Sequence, residues 1–121
     1  RQDFAQSATS RMLDRGPRPT GMVLGGAELA VGALAAIRGA HLRLPEDLSF
    51  VGYGDPEWFR LWAPPITTVR LPVEELASTI ATLLFRLMDP EESPAPDEDM
   101  TPVRVVVEPR LIVRGTTAAS R

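Results

Sequence analysis

The sequence predicts an α/β protein with a parallel sheet, and three observations lead to that prediction. GMVL (21–24) and LSFVGY (48–53) are short apolar stretches without polar alternation, which is typical of strands buried between helices. AELAVGALAAIR (27–38) lies between them and has the composition of a helix, so the connection is long enough for a right-handed crossover. Both strands open onto glycine turns. Ligands of open parallel sheets bind at the carboxyl ends of the strands, so these turns with the start of the helix, called the rim (residues 25–28 and 52–55), are the expected binding region.

The composition limits the class of protein. Its 121 residues fit one domain, and 44% hydrophobic residues are enough for a core. The net charge is −3 and the 13 basic residues are scattered, which argues against nonspecific nucleic-acid binding. Without cysteine there are no disulfides or thiolate metal sites, and no apolar run is long enough for a membrane span. The chain starts on a helical pattern without an initiator Met, so we expect a piece of a longer cytoplasmic protein.

Two further helices are predicted from apolar residues at helical spacing. Residues 3–15 form the first, with an apolar stripe that consists of Phe4, Ala5, Ala8, Met12 and Leu13. Residues 73–88 form the second, and its apolar face consists of Val73, Leu76, Ala77, Ile80, Leu83, Leu84 and Leu87. If that face is packed, truncating Leu84 to Ala should cost about 2–5 kcal/mol.

The remaining segments are predicted as strands and loops. ITTVRL (66–71) is a β-prone run, and a C-terminal strand over 103–108 and 111–113 is interrupted by Pro109. The loop over 54–65 contains both tryptophans. DPEESPAPDED (89–99) is acidic and proline-rich, which is typical of a mobile loop, with docking to a partner as the alternative.

The residues give no support for an enzyme. His41 is the one histidine, in a polar loop, and no Ser or Asp is placed beside it as a catalytic partner. The rim glycines do not match the GxGxxG fingerprint, and no Walker lysine follows them, so no cofactor or metal is indicated. The glycines have two interpretations, a tight strand-to-helix turn or the close approach of a ligand, because both need the same residue.

Three stretches together resemble the lac-repressor (LacI) family of bacterial transcription regulators. They are PTGMVLGGAELAVGALAAIRGAHLRLPEDLSFVGYGD (19–55), APPITTVRLPVEELASTIATLLFRLMD (63–89) and PRLIVRGTT (109–117). The resemblance implies a three-layer, periplasmic-binding-protein-like effector domain. In this family a two-lobed core binds a small molecule, often a sugar or purine, and forms homodimers. The shift of its lobes changes operator binding by an N-terminal helix-turn-helix, which is absent from this sequence.

The family pattern implies site residues at the rim. Expected effector contacts are Gly26, Ala27, Glu28, Tyr53, Gly54, Asp55 and Trp58. The family commonly has Asn-Asp where this sequence has Gly26-Ala27, and Asp-Asp where it has Gly54-Asp55. A sugar would thus lose two polar partners, each worth about 0.5–1.5 kcal/mol net. We therefore expect an effector that is larger or more apolar, or one bound through backbone groups and Glu28.

The resemblance also predicts a dimer contact and a division into lobes. Expected contact residues are Ala27, Val31, Leu34, Leu61 and Trp62, with intramolecular packing of the tryptophans as the alternative. Residues 1–70 and 109–121 are assigned to the C-terminal lobe, and 72–108 to the other lobe, most of which is absent. The apolar face of the 73–88 helix would then lack its usual sheet, so this helix either packs differently here or packs against another copy of the chain. The predicted function is the effector-binding and dimerisation segment of a LacI-like repressor, without contact to a membrane. The alternative is a solute-binding protein of a transport system, which shares the fold.

Overall fold

The computed structural model describes residues 1–92 and 102–120. The elements follow the chain in an order that alternates helices and strands. They are α1 (Gln2–Asp14), β1 (Gly21–Val23), α2 (Ala27–Gly39), β2 (Ser49–Tyr53), α3 (Trp58–Leu61), β3 (Thr67–Arg70), α4 (Val73–Met88) and β4 (Arg110–Ile112). The sequence predicted all of these except α3, which lies inside the expected loop and has only four residues.

The strands form one mixed sheet in the order β1-β2-β3-β4. The first two pairings are parallel, with Met22 opposite Phe50 and Gly52 opposite Thr68. The last pairing, between β3 and β4, is antiparallel. The predicted α/β fold with a parallel sheet is therefore confirmed, and β4 adds an antiparallel edge.

The chain divides into two compact units, and the first contains the core. This unit comprises Arg1–Arg70 and Arg110–Arg121. Its buried apolar cluster is formed by side chains of the sheet, α1, α2 and α3, namely Leu13, Met22, Ala30, Ala33, Leu34, Ile37, Leu48, Phe50, Phe59 and Ile66. The predicted strands are buried on one face only, since Val23 and Tyr53 are exposed at alternate positions.

Helix α1 packs against α2, which explains why α2 is apolar on more than one side. A Cβ at Gly32 would lie 2.2 Å from the carbonyl oxygen of Gln2, so only glycine allows this approach of the two helices. The second apolar side of α2 is thus covered within the chain at this position. On α1 the buried residues are Ala5, Thr9 and Leu13, whereas Phe4 and Met12 of the predicted stripe are exposed.

The second unit, Leu71–Pro109, contains α4 with the bounds that the sequence predicted. The sequence left open how the apolar face of α4 packs, and the structure leaves this face uncovered, because α4 has no buried residue. A strand over 103–108 is not formed either; these residues pair with no strand in the described ranges, so their β-branched composition has no ladder to join. Residues 93–101, most of the predicted acidic loop, lie outside the described residues.

Candidate functional site

The two glycine turns of the rim meet at the carboxyl ends of β1 and β2. Gly26 is the N-cap of α2, and as a glycine it has no side chain that could cap the first turn of the helix. Gly54 has φ +80°, a conformation that L side chains rarely adopt, and a Cβ there would lie 3.7 Å from the Cβ of Ala27. Strand β3 fixes this turn from the other side, since the Gly54 amide donates to the carbonyl of Val69 over 2.9 Å and the Thr68 hydroxyl donates to the Gly54 carbonyl.

Three other predicted effector contacts lie near these turns in different environments. Tyr53 is exposed at the end of β2. Glu28 is exposed in the first turn of α2 and pairs with Arg1 at 3.1 Å, an exposed ion pair that stabilises little. Trp58 is half-buried; its ring meets that of Phe59 edge to face at 4.6 Å and packs against the core. Of the three, Tyr53 and Glu28 present most surface to a ligand.

Asp55 does not present a free carboxylate, and this corrects its assignment as an effector contact. Its side chain is 4% exposed and accepts two hydrogen bonds from the guanidinium of Arg114, at 2.8 and 2.9 Å. This hydrogen-bonded partner lowers the pKa of Asp55 despite burial, and the charges of Arg60 and Arg70 add to the effect. Asp55 is therefore ionised and committed to a bidentate ion pair that fixes the rim loop.

The C-terminal tail forms a buried polar network that sequence reasoning missed. Besides Asp55, Arg114 donates from Nη1 to the Ile66 carbonyl and from its backbone amide to the Thr67 hydroxyl, each over 2.9 Å. The Thr116 hydroxyl donates to the Phe50 carbonyl over 2.7 Å and accepts from the Thr67 amide over 2.9 Å. The only signal was the VRGTT motif, which the sequence left without a structural role. The network connects residues 114–116 to β2, to β3 and to the loop that contains Asp55.

Of the five predicted dimer contacts, two are exposed, two are half-buried and one lies in the core. Val31 and Leu61 are exposed, and Ala27 and Trp62 are half-buried. Leu34 is 2% exposed and belongs to the core, so its assignment to a dimer surface is corrected. A cavity of about 500 Å³ lies between the C-terminal half of α2 and the 61–64 segment, with Trp62 in its wall.

The described residues contain no group of three or more His, Asp or Glu that could hold a metal ion. His41 lies exposed in the turn after α2, with φ 57°. Within residues 1–92 and 102–120, none of the helices has the length and apolarity to cross a membrane.

Comparison with known proteins gives the same family from sequence and from structure. The "Periplasmic binding protein-like domain" family matches residues 1–117. The HTH-type transcriptional repressor PurR of Escherichia coli O1:K1 is 34% identical over 112 residues, which are 92% of this chain and 30% of PurR. The ribose operon repressor of Haemophilus influenzae is 40% identical over 83 residues, which are 68% of this chain and 25% of that repressor.

A solved structure extends this likeness. A LacI family transcriptional regulator from Enterococcus faecalis V583 with bound ribose has a TM-score of 0.74 and 29% identity, over 97% of this chain and 40% of that regulator. This chain spans about 30% of the length of the curated relatives that it matches. The resemblance to LacI-family regulators is therefore confirmed, and the chain belongs to the periplasmic binding protein-like domain family.

Proposed function

We propose that this chain is the C-terminal effector-binding and dimerisation segment of a non-enzymatic LacI-like repressor. The regulator senses a small molecule in the cytoplasm and changes its operator binding through a helix-turn-helix outside this sequence. The main support is that its matched relatives are transcriptional repressors and that the match to PurR extends over 92% of the chain. A transport solute-binding protein, the alternative, has no such support among these relatives.

The effector binds at the rim in this proposal. Gly26, Ala27, Glu28, Tyr53, Gly54 and Trp58 form its contacts, and Asp55 holds the loop in place through Arg114 rather than touching the effector. The meeting of the Gly54 turn with Ala27 at the carboxyl ends of two parallel strands supports this location. A relative with bound ribose supports an effector of small-molecule size.

The segment 72–108 belongs to the second lobe of the longer protein in this proposal. The exposed apolar face of α4 supports it, because an amphipathic helix is stabilised mainly by packing of that face. The missing part of the second lobe would supply the cover.

Reading the gene upstream of Arg1 tests the regulator against the transport alternative. A helix-turn-helix encoded in frame is the expected result, with operator binding by the complete protein in a gel-shift assay as the functional check. A secretion signal in that place would refute the regulator and establish the transport protein.

The homodimer is a separate part of the proposal, with Ala27, Val31, Leu61 and Trp62 at the contact. The exposure of Val31 and Leu61 supports it, since large apolar side chains at a surface are typical of interfaces. Replacing Leu61 with Glu should lower the sedimentation coefficient to that of a monomer. Val106, an exposed valine of the second unit, replaced with Glu is the matched control. Equal sedimentation of wild type and Leu61→Glu would argue against this contact.

A further inference from the structure

Three arginines surround the buried carboxylate of Asp55. Arg114 hydrogen-bonds it at 2.8 Å, whereas Arg60 and Arg70 approach its Oδ2 only to 3.7 and 3.9 Å. We call Arg60, Arg70 and Arg114 with Asp55 the guanidinium cluster. It overlaps the rim, because Asp55 is itself a rim residue and Arg70 follows Val69, whose carbonyl accepts a hydrogen bond from the Gly54 amide.

The guanidinium cluster has a net positive charge, because one carboxylate faces three guanidinium groups. Arg114 already donates a hydrogen bond to each of the two Asp55 carboxylate oxygens. Arg60 and Arg70 are 57% and 47% exposed, and neither guanidinium forms a hydrogen bond with any residue in the described part of the chain. Arg110 lies directly opposite Arg70 in the β3–β4 pairing, an arrangement of like charges that destabilises a sheet. The donors of Arg60 and Arg70 thus remain available to a partner.

The rim next to this cluster is poor in acceptors. Gly26, Ala27 and Gly54 have no side-chain oxygen, and both oxygens of Asp55 accept from Arg114, so the side-chain acceptors left at the rim are the exposed Glu28 and the Tyr53 hydroxyl. A neutral sugar hydroxyl both donates and accepts, so its recognition needs acceptors as well as donors. An oxyanion needs donors only, and arginine offers them in a geometry that suits carboxylate and phosphate.

We propose that the effector of this protein carries an oxyanion, a phosphate or a carboxylate, which binds Arg60 and Arg70 beside Gly54. The proposal rests on the proposed effector function and assigns a chemical class to its ligand. Arg114 keeps its structural pairing with Asp55, so the two remaining guanidinium groups provide the binding charge. Ribose 5-phosphate and ribonate are suitable probes, because the first adds a phosphate to ribose and the second carries a carboxylate in place of the C1 aldehyde.

The test is an NMR titration of the 121-residue chain with ribose, ribose 5-phosphate and ribonate. We expect saturable shifts of the Gly54 amide and of the Arg60 and Arg70 Nε signals with at least one of the two anions. The anion that binds more tightly shows whether the effector carries a phosphate or a carboxylate. Arg60→Gln and Arg70→Gln should each weaken that binding about tenfold. Arg11→Gln, at an exposed site on α1, is the matched control and should leave it unchanged.

Other outcomes would overturn the proposal. If ribose binds at Gly54 as tightly as the tighter-binding of the two anions, the oxyanion is refuted while the effector function of the rim stands. If anion shifts are the same in Arg60→Gln, Arg70→Gln and wild type, the cluster is not the binding group. If neither anion shifts these signals in a chain whose circular dichroism is that of the folded protein, the proposal also fails. The operator assay on the complete protein then decides the regulator function independently.

Discussion

Two phenylalanines show how differently the two units of this chain are built. Phe50, in the unit formed by Arg1–Arg70 and Arg110–Arg121, is 0% exposed in the centre of the core. Phe85, on α4 of the Leu71–Pro109 unit, is 69% exposed. The first unit has strands and helices that cover each other, whereas α4 has no buried residue.

The difference shows that an amphipathic pattern specifies which face of a helix needs cover, not where that cover comes from. The apolar face of α4 is as regular as that of any helix in the chain, and its predicted bounds match the structure. Its stability in water, however, depends on packing partners, since an isolated helix of this length is marginal. Helix α2 obtains such cover from α1 and the sheet.

The largest expected effect is the difference between removing a phenylalanine ring from the first unit and removing one from the second. Phe50→Ala should lower the free energy of unfolding by about 3–5 kcal/mol, because it leaves a cavity in the core. Phe85→Ala should change it by less than about 0.5 kcal/mol, because the ring is in water. Urea unfolding followed by circular dichroism measures both. Similar losses for the two variants would show that α4 is packed in solution.

The sequence was sufficient for the elements of the sheet and for the rim, because both are local patterns. The apolar runs at 21–24 and 48–53 define β1 and β2 within one residue, and the glycines at their ends form the turn whose φ is positive at Gly54. The strand predicted over 103–108 is absent because β-branched composition favours a strand only where a neighbour supplies hydrogen bonds.

The contacts of the site were beyond the sequence, because they join residues far apart in the chain. Asp55 was assigned to the effector from its position after β2, yet its carboxylate binds Arg114, 59 residues away. Helix α2 is apolar on more than one side, so its periodicity does not show which side faces the core. Leu34 lies on this helix and belongs to the core. The effector-contact and dimer assignments of the other residues stay predictions.

The second-largest expected effect concerns the ion pair that fixes the rim loop. Asp55→Asn should lower stability at neutral pH by about 1.5–3 kcal/mol, because it removes a charged partner from Arg114. Since folding lowers the pKa of Asp55, its stabilisation is present above the unfolded value of about 3.9 and is lost as pH falls towards the folded pKa. The difference between variant and wild type should therefore shrink in acid. Urea unfolding at several pH values measures it.

Asp47→Asn provides the matched control for this pH dependence. The pKa of Asp47 is also lowered, first by the backbone amide of Arg43 and then by its side chain, but that pair is exposed to solvent. Water screens such a pair, so we expect a smaller and more salt-sensitive change. An equal pH dependence in both variants would contradict the special role of Asp55.

A third effect tests the close approach of α1 and α2. Gly32→Ala should lower stability by about 1–2 kcal/mol, because the new Cβ meets the Gln2 carbonyl and pushes the helices apart. Gly39→Ala, in the same helix with no atom near its Cβ position, should raise stability by about 0.5 kcal/mol. Thermal unfolding compares the two. A loss in both variants would indicate that helix geometry, not contact with α1, determines the result.

The smallest expected effect addresses α4 itself. Leu84 is 53% exposed, so Leu84→Ala should cost less than about 0.5 kcal/mol in this chain, instead of the about 2–5 kcal/mol expected for a packed face. In a longer protein that contains the rest of the second lobe, the same substitution should regain the larger cost. Urea unfolding of both forms measures the difference. A small loss of stability in both forms would mean that the second lobe does not cover this face of α4. A large loss in the longer protein only would show that the unit formed by Leu71–Pro109 lacks a packing partner for α4 in this chain.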